Sequence, residues 1–516
     1  MKNTKSDSRT QKTIFNAIAG VSGYFLTMLL GFVVRMFFVR HLAVELLGIN
    51  GVFTSIFAIF SLAELGFATA VSYALYKPLA ENNQNKVAVL MRYLKKAYIF
   101  IGCVILIVGL VLLPFLQFIV NGYQEIGVGL GELRVYYLIF LFTTVFPYFI
   151  SYKRTLIIAD QKKYIADSVV MLVTIVARIS QIVVIIVLKN FVIYLSIGLA
   201  LVLVEQIIIN FIVGRKYPYI KSHMDEKLSK KEKKNLFSNI GALSVARAGS
   251  VFTSGIIPII ILAFIGLREV GLYSNYLLVT GSATVILALI ITSATASVGN
   301  FAATRSKPEQ KKLFDKILYF IAFFGALSLA GLLLLLNDFI VIWLRREDMV
   351  LGGLVALFMS VDVFLWIMRS ASSIIYQVHG LYKHFFYRTS LEIAIFIGLA
   401  IPGAIFFGIT GIMVAKIIAQ LIAQIPFEVY VISKYGLDDN PINYCTSLAK
   451  YTIITLAAVG LSYLAIFAVP LAGLLGFLVK VTIVATVVVL TYVGFTFRSE
   501  EFKYFKSKIK LKRKVK

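Results

Sequence analysis

The chain alternates between long apolar runs and short polar ones. About fourteen stretches of helix length carry little charge: 14–39, 49–75, 97–120, 133–152, 165–188, 191–213, 238–264, 271–300, 317–336, 352–378, 389–408, 411–433, 450–470 and 472–497. A run of about 20 apolar residues crosses roughly 30 Å of hydrocarbon as a helix. These runs are continuously apolar and lack the alternation of barrel strands, so they read as helices. The expected fold is an all-α polytopic membrane protein with about fourteen transmembrane helices. The spans and their short connections use the whole chain, which leaves no room for a sizeable soluble domain.

The pattern also repeats. The second span opens with LLGINGVF (46–53), preceded by Glu45, and the eighth opens with EVGLYSNYLL (269–278). Gly48 and Gly271 align at an offset of 223, which also carries the start of span one to the start of span seven. Six spans plus six in the same orientation imply two parallel repeats about an axis along the membrane normal, an arrangement of secondary transporters with substrate bound between repeats. The expected parts are a six-helix bundle over 1–213, a basic linker over 214–237 and a second six-helix bundle over 238–433. Two extra helices over 434–497 and a basic tail over 498–516 complete the chain.

Charge orients this scheme. Of the 51 Lys and Arg residues, 39 fall in the termini and in every second gap between spans, and only six in the intervening gaps. Positive charge near helix ends stays on the cytoplasmic side. Both termini and the 214–237 loop are therefore expected in the cytoplasm of a multi-pass protein of the cell membrane, with 121–132 and 337–351 outside. The formal net charge of +26 would suggest nucleic acid in a soluble protein. In a chain that is 59% hydrophobic it reads as topogenic and as contact with anionic membrane lipids, so no nucleic-acid partner is expected. Cys103 and Cys445 lie in unlike environments and predict no disulfide. The four histidines have no metal-ligand spacing, and no cofactor is expected.

Six basic residues lie within spans: Arg35, Arg178, Arg247, Arg369, Lys416 and Lys480. So do the acids Glu64, Glu205, Asp362 and Glu392. Each such charge at mid-bilayer costs about 2.5–3.5 kcal/mol on insertion scales, so it needs a hydrated cavity or a partner. Arg178, Arg247 and Arg369 are candidate ligands for an anionic diphosphate, because the guanidinium fork matches phosphate oxygens. Arg35 and Lys416 join them, with snorkelling to the outer interface as the competing reading. Lys480, outside the repeat, is read as snorkelling. Glu64, Glu205 and Asp362 are candidate coupling groups for a proton or sodium ion, with a static ion pair to Arg as the alternative.

Helical spacing places polar groups beside these charges. Asn16, Gly20, Gly23, Thr27, Gly31 and Arg35 share a face of span one. Asn50, Thr54, Ser61 and Glu64 share one of span two. Ser244, Arg247, Ser250 and Ser254 do so in span seven, and Asp362, Trp366, Arg369, Ser373 and Gln377 in span ten. Asn16, Asn50, Ser244 and Gln377 are thus candidate lumen residues. Close helix packing through small residues is the competing explanation for Gly23, Thr27 and Gly31. No nucleotide-binding loop, metal cluster or nucleophile–base constellation is present.

The stretch GINGVFTSIFAIFSLAELGFATAVSYALYKPLAENNQNKV (48–87), with AELG (63–66) and LYKPLAEN (75–82) its most specific pieces, resembles the Wzx-type polysaccharide flippases of Gram-positive bacteria. These belong to the multidrug/oligosaccharidyl-lipid/polysaccharide exporter superfamily. The resemblance implies that an undecaprenyl-diphosphate-linked oligosaccharide is moved from the inner to the outer leaflet by alternating access, for capsule or exopolysaccharide assembly. It further implies that the last two helices form a groove for the lipid tail, and that polymerase and glycosyltransferases of the same pathway are candidate partners. Of the site residues, only Glu64 is carried over from the resemblance. A lipid II flippase and a cation-coupled drug exporter of the same superfamily remain alternatives. A membrane polymerase or glycosyltransferase would need a substantial loop with acid, base or metal ligands, which the short outer gaps and Lys-rich inner gaps do not offer, so no enzyme is expected.

Overall fold

The computed structural model of this chain describes residues 4–61, 67–221, 249, 251–471 and 473–514. Among them regular structure is helical throughout, without a strand. Among the described residues, eleven helical runs are long and apolar enough to cross a membrane, where about fourteen spans are expected of the whole chain. The expected spans 389–408 and 411–433 form one run, Tyr387–Leu437. It is broken at Gly408, whose φ of 59° and ψ of −143° are open only to glycine. Beyond that break the chain turns back on itself: a Cβ on Gly403 or Gly411 would overlap the backbone of the other, so the two arms touch through bare backbone. Of the expected spans 49–75 and 238–264, the described residues include the apolar helices Val44–Phe60 and Val251–Phe264, while 62–66, 238–248 and 250 lie outside the described residues.

Several helices also run past the expected membrane boundary. Gln84–Leu112 starts well before position 97, where the Asn83 side chain accepts from Lys86 N at 2.9 Å. Lys307–Leu344 starts at a capping box, with Ser306 and Glu309 bonded reciprocally and Pro308 in the first turn. It continues to Leu344, so Asn337 and Asp338, expected in an outer loop, are helical.

The chain packs as two compact units, Met1–Ser274 and Asn275–Lys516. In the first, the helix Thr4–His41 lies along Lys163–Val187, which in turn packs on Phe191–Lys216; Leu130–Ile150 packs on Phe191–Lys216 and Gln84–Leu112. The repeat expected from sequence has a physical counterpart in this unit. A Cβ at Gly48 would strike the carbonyl of Leu267, and one at Gly271 would strike the carbonyl of Val44. Glu45 meets Arg268 at 4.0 Å between them. Glu45 and Arg268 are 223 apart, and the same offset carries Gly48 to Gly271 and Val44 to Leu267, so the first turns at 44–48 and 267–271 meet reciprocally, and glycine on each side permits the approach.

In the second unit Lys307–Leu344 packs on Gly353–His379, and both Pro441–Phe467 and Gly473–Thr496 lie against it. Phe314, Leu318, Ala322, Phe364, Ile367 and Tyr492 are among the residues of its continuous buried core. The C-terminal segment Glu500–Lys514 is an additional helix, with acidic residues in its first turn and only basic charges after Glu501.

Candidate functional site

In the first unit, two intramembrane cations come from packed helices. Arg35, on Thr4–His41, donates from Nη1 to Ser274 Oγ at 2.6 Å, and Ser274 in turn donates to the Gly271 carbonyl at 2.7 Å. Arg178, on Lys163–Val187, donates from Nη1 to Gln181 Oε1 at 3.1 Å, and the buried Gln181 reaches the Tyr194 carbonyl. Arg178 lies close enough to Arg35 for their charges to interact. Phe38 packs edge-on against Tyr194 and Phe191 and gives this region an aromatic wall. Among the described residues Arg178 has no carboxylate partner, and its buried Nε has no hydrogen-bond acceptor. Two like charges and an unsatisfied fork in a poorly hydrated setting are a standing cost, which an anion with several oxygens relieves.

The acids of the first unit lie elsewhere. Glu205 meets Arg154 at 3.5 Å, and Arg154 reaches Asp167 at 4.0 Å, while Lys163 also pairs with Asp167 at 2.5 Å. Glu205 thus has the Arg partner of its alternative reading, supplied by a residue expected in a polar gap. Beside this network, just beyond the spans, Tyr217 donates to Asp160 at 2.6 Å; burial and the nearby carboxylate push its phenol above the ordinary tyrosine range. Asn50 is half-buried and accepts from Thr54 at 3.3 Å. Gly23 contacts Met171 at ordinary van der Waals distance, which favours the packing explanation for that glycine, whereas Gly31 faces open space. Glu64, Ser244, Arg247 and the Asn16 side chain lie outside the described residues, as does the loop from 222 to 237.

In the second unit the candidate charges Asp362, Lys416 and Arg369 fall in two networks. Lys416 Nζ meets Asp362 Oδ2 at 2.8 Å, and Gln420 Nε2 donates to Asp362 Oδ1 at 2.6 Å. Asp362 therefore pairs across helices with Lys416. Gln420 opens one of two π-helical turns, Gln420–Gln424 and Ile432–Leu437, in the arm that follows Gly408. Such turns interrupt the regular ladder and recur at functional positions.

Between those two turns stands Glu428, 4% exposed. Arg369 grips it with both arms of its fork, Nε to Oε2 at 3.1 Å and Nη2 to Oε1 at 2.6 Å. Arg388 donates to the same carboxylate from Nη1. The buried Glu392 is close enough to act on both arginines. Glu428 falls in the apolar stretch 411–433 but is not among the acids singled out from the sequence, and Arg388 stands one residue outside 389–408. Their adjacency has no signature in spacing. Gln377 is exposed and donates to Ser373 at 2.9 Å. Lys480 meets Asp338 at 2.9 Å, so it has a partner within the protein.

This is the structure of a multi-pass helical membrane protein with buried charge in both units. The chain belongs to the family described as polysaccharide biosynthesis protein, whose family model matches residues 14–298. Its fold is that of the transporters of the MOP superfamily. A lipid II flippase MurJ in an inward closed conformation superposes with a TM-score of 0.66 at 17% identity, covering 93% of this chain and 98% of that one. An inward-facing multidrug resistance MATE family transporter of the MOP superfamily gives 0.62 at 14%, covering 80% and 97%. The Vibrio cholerae MATE transporter VcmN in its bent form gives 0.53 at 14%, covering 84% and 98%. No curated protein matches in sequence.

Proposed function

We propose that this protein is a flippase that carries an undecaprenyl-diphosphate-linked oligosaccharide from the inner to the outer leaflet by alternating access, for capsule or exopolysaccharide assembly. The observation that carries this reading is Arg178: a guanidinium within a membrane helix, near a second arginine, without a carboxylate among the described residues. A drug exporter of cations would place negative charge there. The family membership points the anion toward polysaccharide assembly, and a diphosphate presents the oxygens the fork requires. Arg35 and Arg178 form the diphosphate cradle on this reading, with Arg247 as a third ligand and the hydroxyl and amide groups nearby facing sugar.

The bundles 1–213 and 238–433 are the moving parts, and 434–497 accompanies the lipid tail. Asp362, held by Lys416 and Gln420 next to a π-turn, is the leading coupling group of the second bundle, ahead of the Arg369–Glu428–Arg388 cluster, whose carboxylate is already held by two guanidinia. A coupling ion must bind one conformation better than the other, and exchange of Lys416 for a proton or sodium ion on Asp362 is such a difference. Both termini lie in the cytoplasm and the protein sits in the cell membrane, on the strength of the Lys and Arg distribution. Chemistry on the sugar is left to other proteins, the polymerase and glycosyltransferases among them.

Depletion tests the reading. Lipid-linked repeat units should accumulate on the inner leaflet and surface polymer should fall. Accumulation of the peptidoglycan precursor would assign lipid II as cargo, and failure to make the lipid-linked unit would indicate an enzyme. Asp362→Asn should remove dependence on an imposed ion gradient with substrate binding intact; retained dependence places coupling elsewhere.

A further inference from the structure

The second unit has a cavity of about 250 Å³ that none of the charges above line. Its wall is aliphatic and aromatic: Leu287, Ile290, Ile317, Phe320, Phe324 and Ile374 come from three membrane helices. The C-terminal helix Glu500–Lys514 supplies the remaining wall through Tyr504 and Phe505. Phe505 is anchored, stacked on Tyr319 at 5.9 Å and on Phe320 at 5.7 Å. The Tyr504 ring sits 4.2 Å from Lys316 Nζ, which lies at the end of the cavity next to that helix. Ser370, the hydroxyl among the lining residues, is already bonded to the Ile367 carbonyl.

Two features identify an occupant. The first is length: from Leu313 to Phe324 the cavity follows Lys307–Leu344 for about 16 Å at 1.5 Å per residue. That is about half of a 30 Å hydrocarbon core, the depth of one leaflet. The second is charge. Lys316 stands at the shallow end, and Lys503 and Lys506 are exposed on either side of Tyr504 and Phe505. Every charged residue from there to the C-terminus is basic. An aliphatic slot one leaflet deep, with cations at its mouth, matches a chain that hangs from an anionic headgroup.

We propose that this groove binds one acyl chain of an anionic phospholipid and that the C-terminal helix clamps it, with Lys316 and Lys503 at the headgroup. The bound lipid fastens the basic helix to the second unit and ties its position to the composition of the adjoining leaflet. The inference stands apart from the proposed cargo, since it concerns a resident lipid and none of the residues assigned to transport.

Native mass spectrometry of the full-length protein in detergent tests it, with dioleoyl phosphatidylglycerol titrated against dioleoyl phosphatidylcholine. The first phosphatidylglycerol should bind about thirtyfold more tightly, as expected for two lysines at a headgroup. Lys316→Glu with Lys503→Glu should bring the two lipids to within about twofold of each other. Ile317→Trp, which fills the slot, should weaken both. Equal binding by the unaltered protein, or a preference that survives the double charge reversal, overturns the proposal. Stronger retention of undecaprenyl phosphate than of phosphatidylglycerol would assign the groove to a prenyl chain and also overturn it. Lys503 is exposed and Lys316 half-buried at the cavity mouth, so the charge reversals decide the matter even where Ile317→Trp fails to fold.

Discussion

Glu428→Gln removes the one carboxylate that two buried guanidinia share. In the native protein the cluster carries one net positive charge over three groups, and the bidentate grip of Arg369 satisfies both carboxylate oxygens. With glutamine in place, Arg369 and Arg388 face each other with no opposite charge between them. Breaking a buried ion pair by removing one partner costs about 3–5 kcal/mol. Glu392, itself 7% exposed, acts on both arginines and holds the loss toward the lower end of that range. For a unit of the size of Asn275–Lys516, each kcal/mol lowers the melting temperature by roughly 2–4 °C, so the expected drop is about 6–20 °C. Arg388→Gln should be milder. It leaves the neutral Arg369–Glu428 pair and forfeits one charged hydrogen bond, about 1.5–3 kcal/mol. Trp343 and Trp366 both lie in the second unit, so intrinsic fluorescence follows its melting in detergent. An Arg388→Gln variant less stable than Glu428→Gln, or a Glu428→Gln variant that melts with the native protein, would refute the charge argument.

Other outcomes follow from other parts of the chain. Gly48→Ala would place a methyl against the Leu267 carbonyl and should cost about 1–3 kcal/mol; Gly31→Ala, with nothing within 4 Å, should be neutral or stabilise by up to about 1 kcal/mol, and thermal melts of the pair compare the two. Arg178→Ala should abolish export while membrane insertion is unchanged, and Arg178→Lys should restore it only in part, because a point charge cannot reproduce the fork; full surface polymer in the Ala variant would remove Arg178 from the site. In a Cys103→Ser background the exposed Cys445 should react with an impermeant maleimide only after cells are permeabilised; labelling of intact cells would invert the topology.

Much of the fold is legible because lipid imposes a simple rule: a long uncharged run has no alternative to a helix. The exceptions show where that rule stops. The boundary expected between 389–408 and 411–433 is present as the break at Gly408, but hydropathy marks such a boundary without showing what backbone makes it. What makes the hairpin is a backbone conformation open to glycine and an approach of Gly403 to Gly411 that a side chain would block. The same limit moved Asn337 and Asp338 from an expected loop into a helix, since hydropathy marks where apolar surface ends and not where hydrogen bonding does.

The sequence by itself determined the class of protein and the 223-residue repeat, because these rest on composition, periodicity and offset. The tertiary structure decided which charge meets which. Asp362 and Arg369 share a helix face, yet Asp362 is taken by Lys416 and Arg369 by Glu428, through contacts 54 and 59 residues apart. Helical periodicity reports only neighbours on one helix. A buried ion's partner is set by how helices cross, and that crossing depends on the packing of every residue between them.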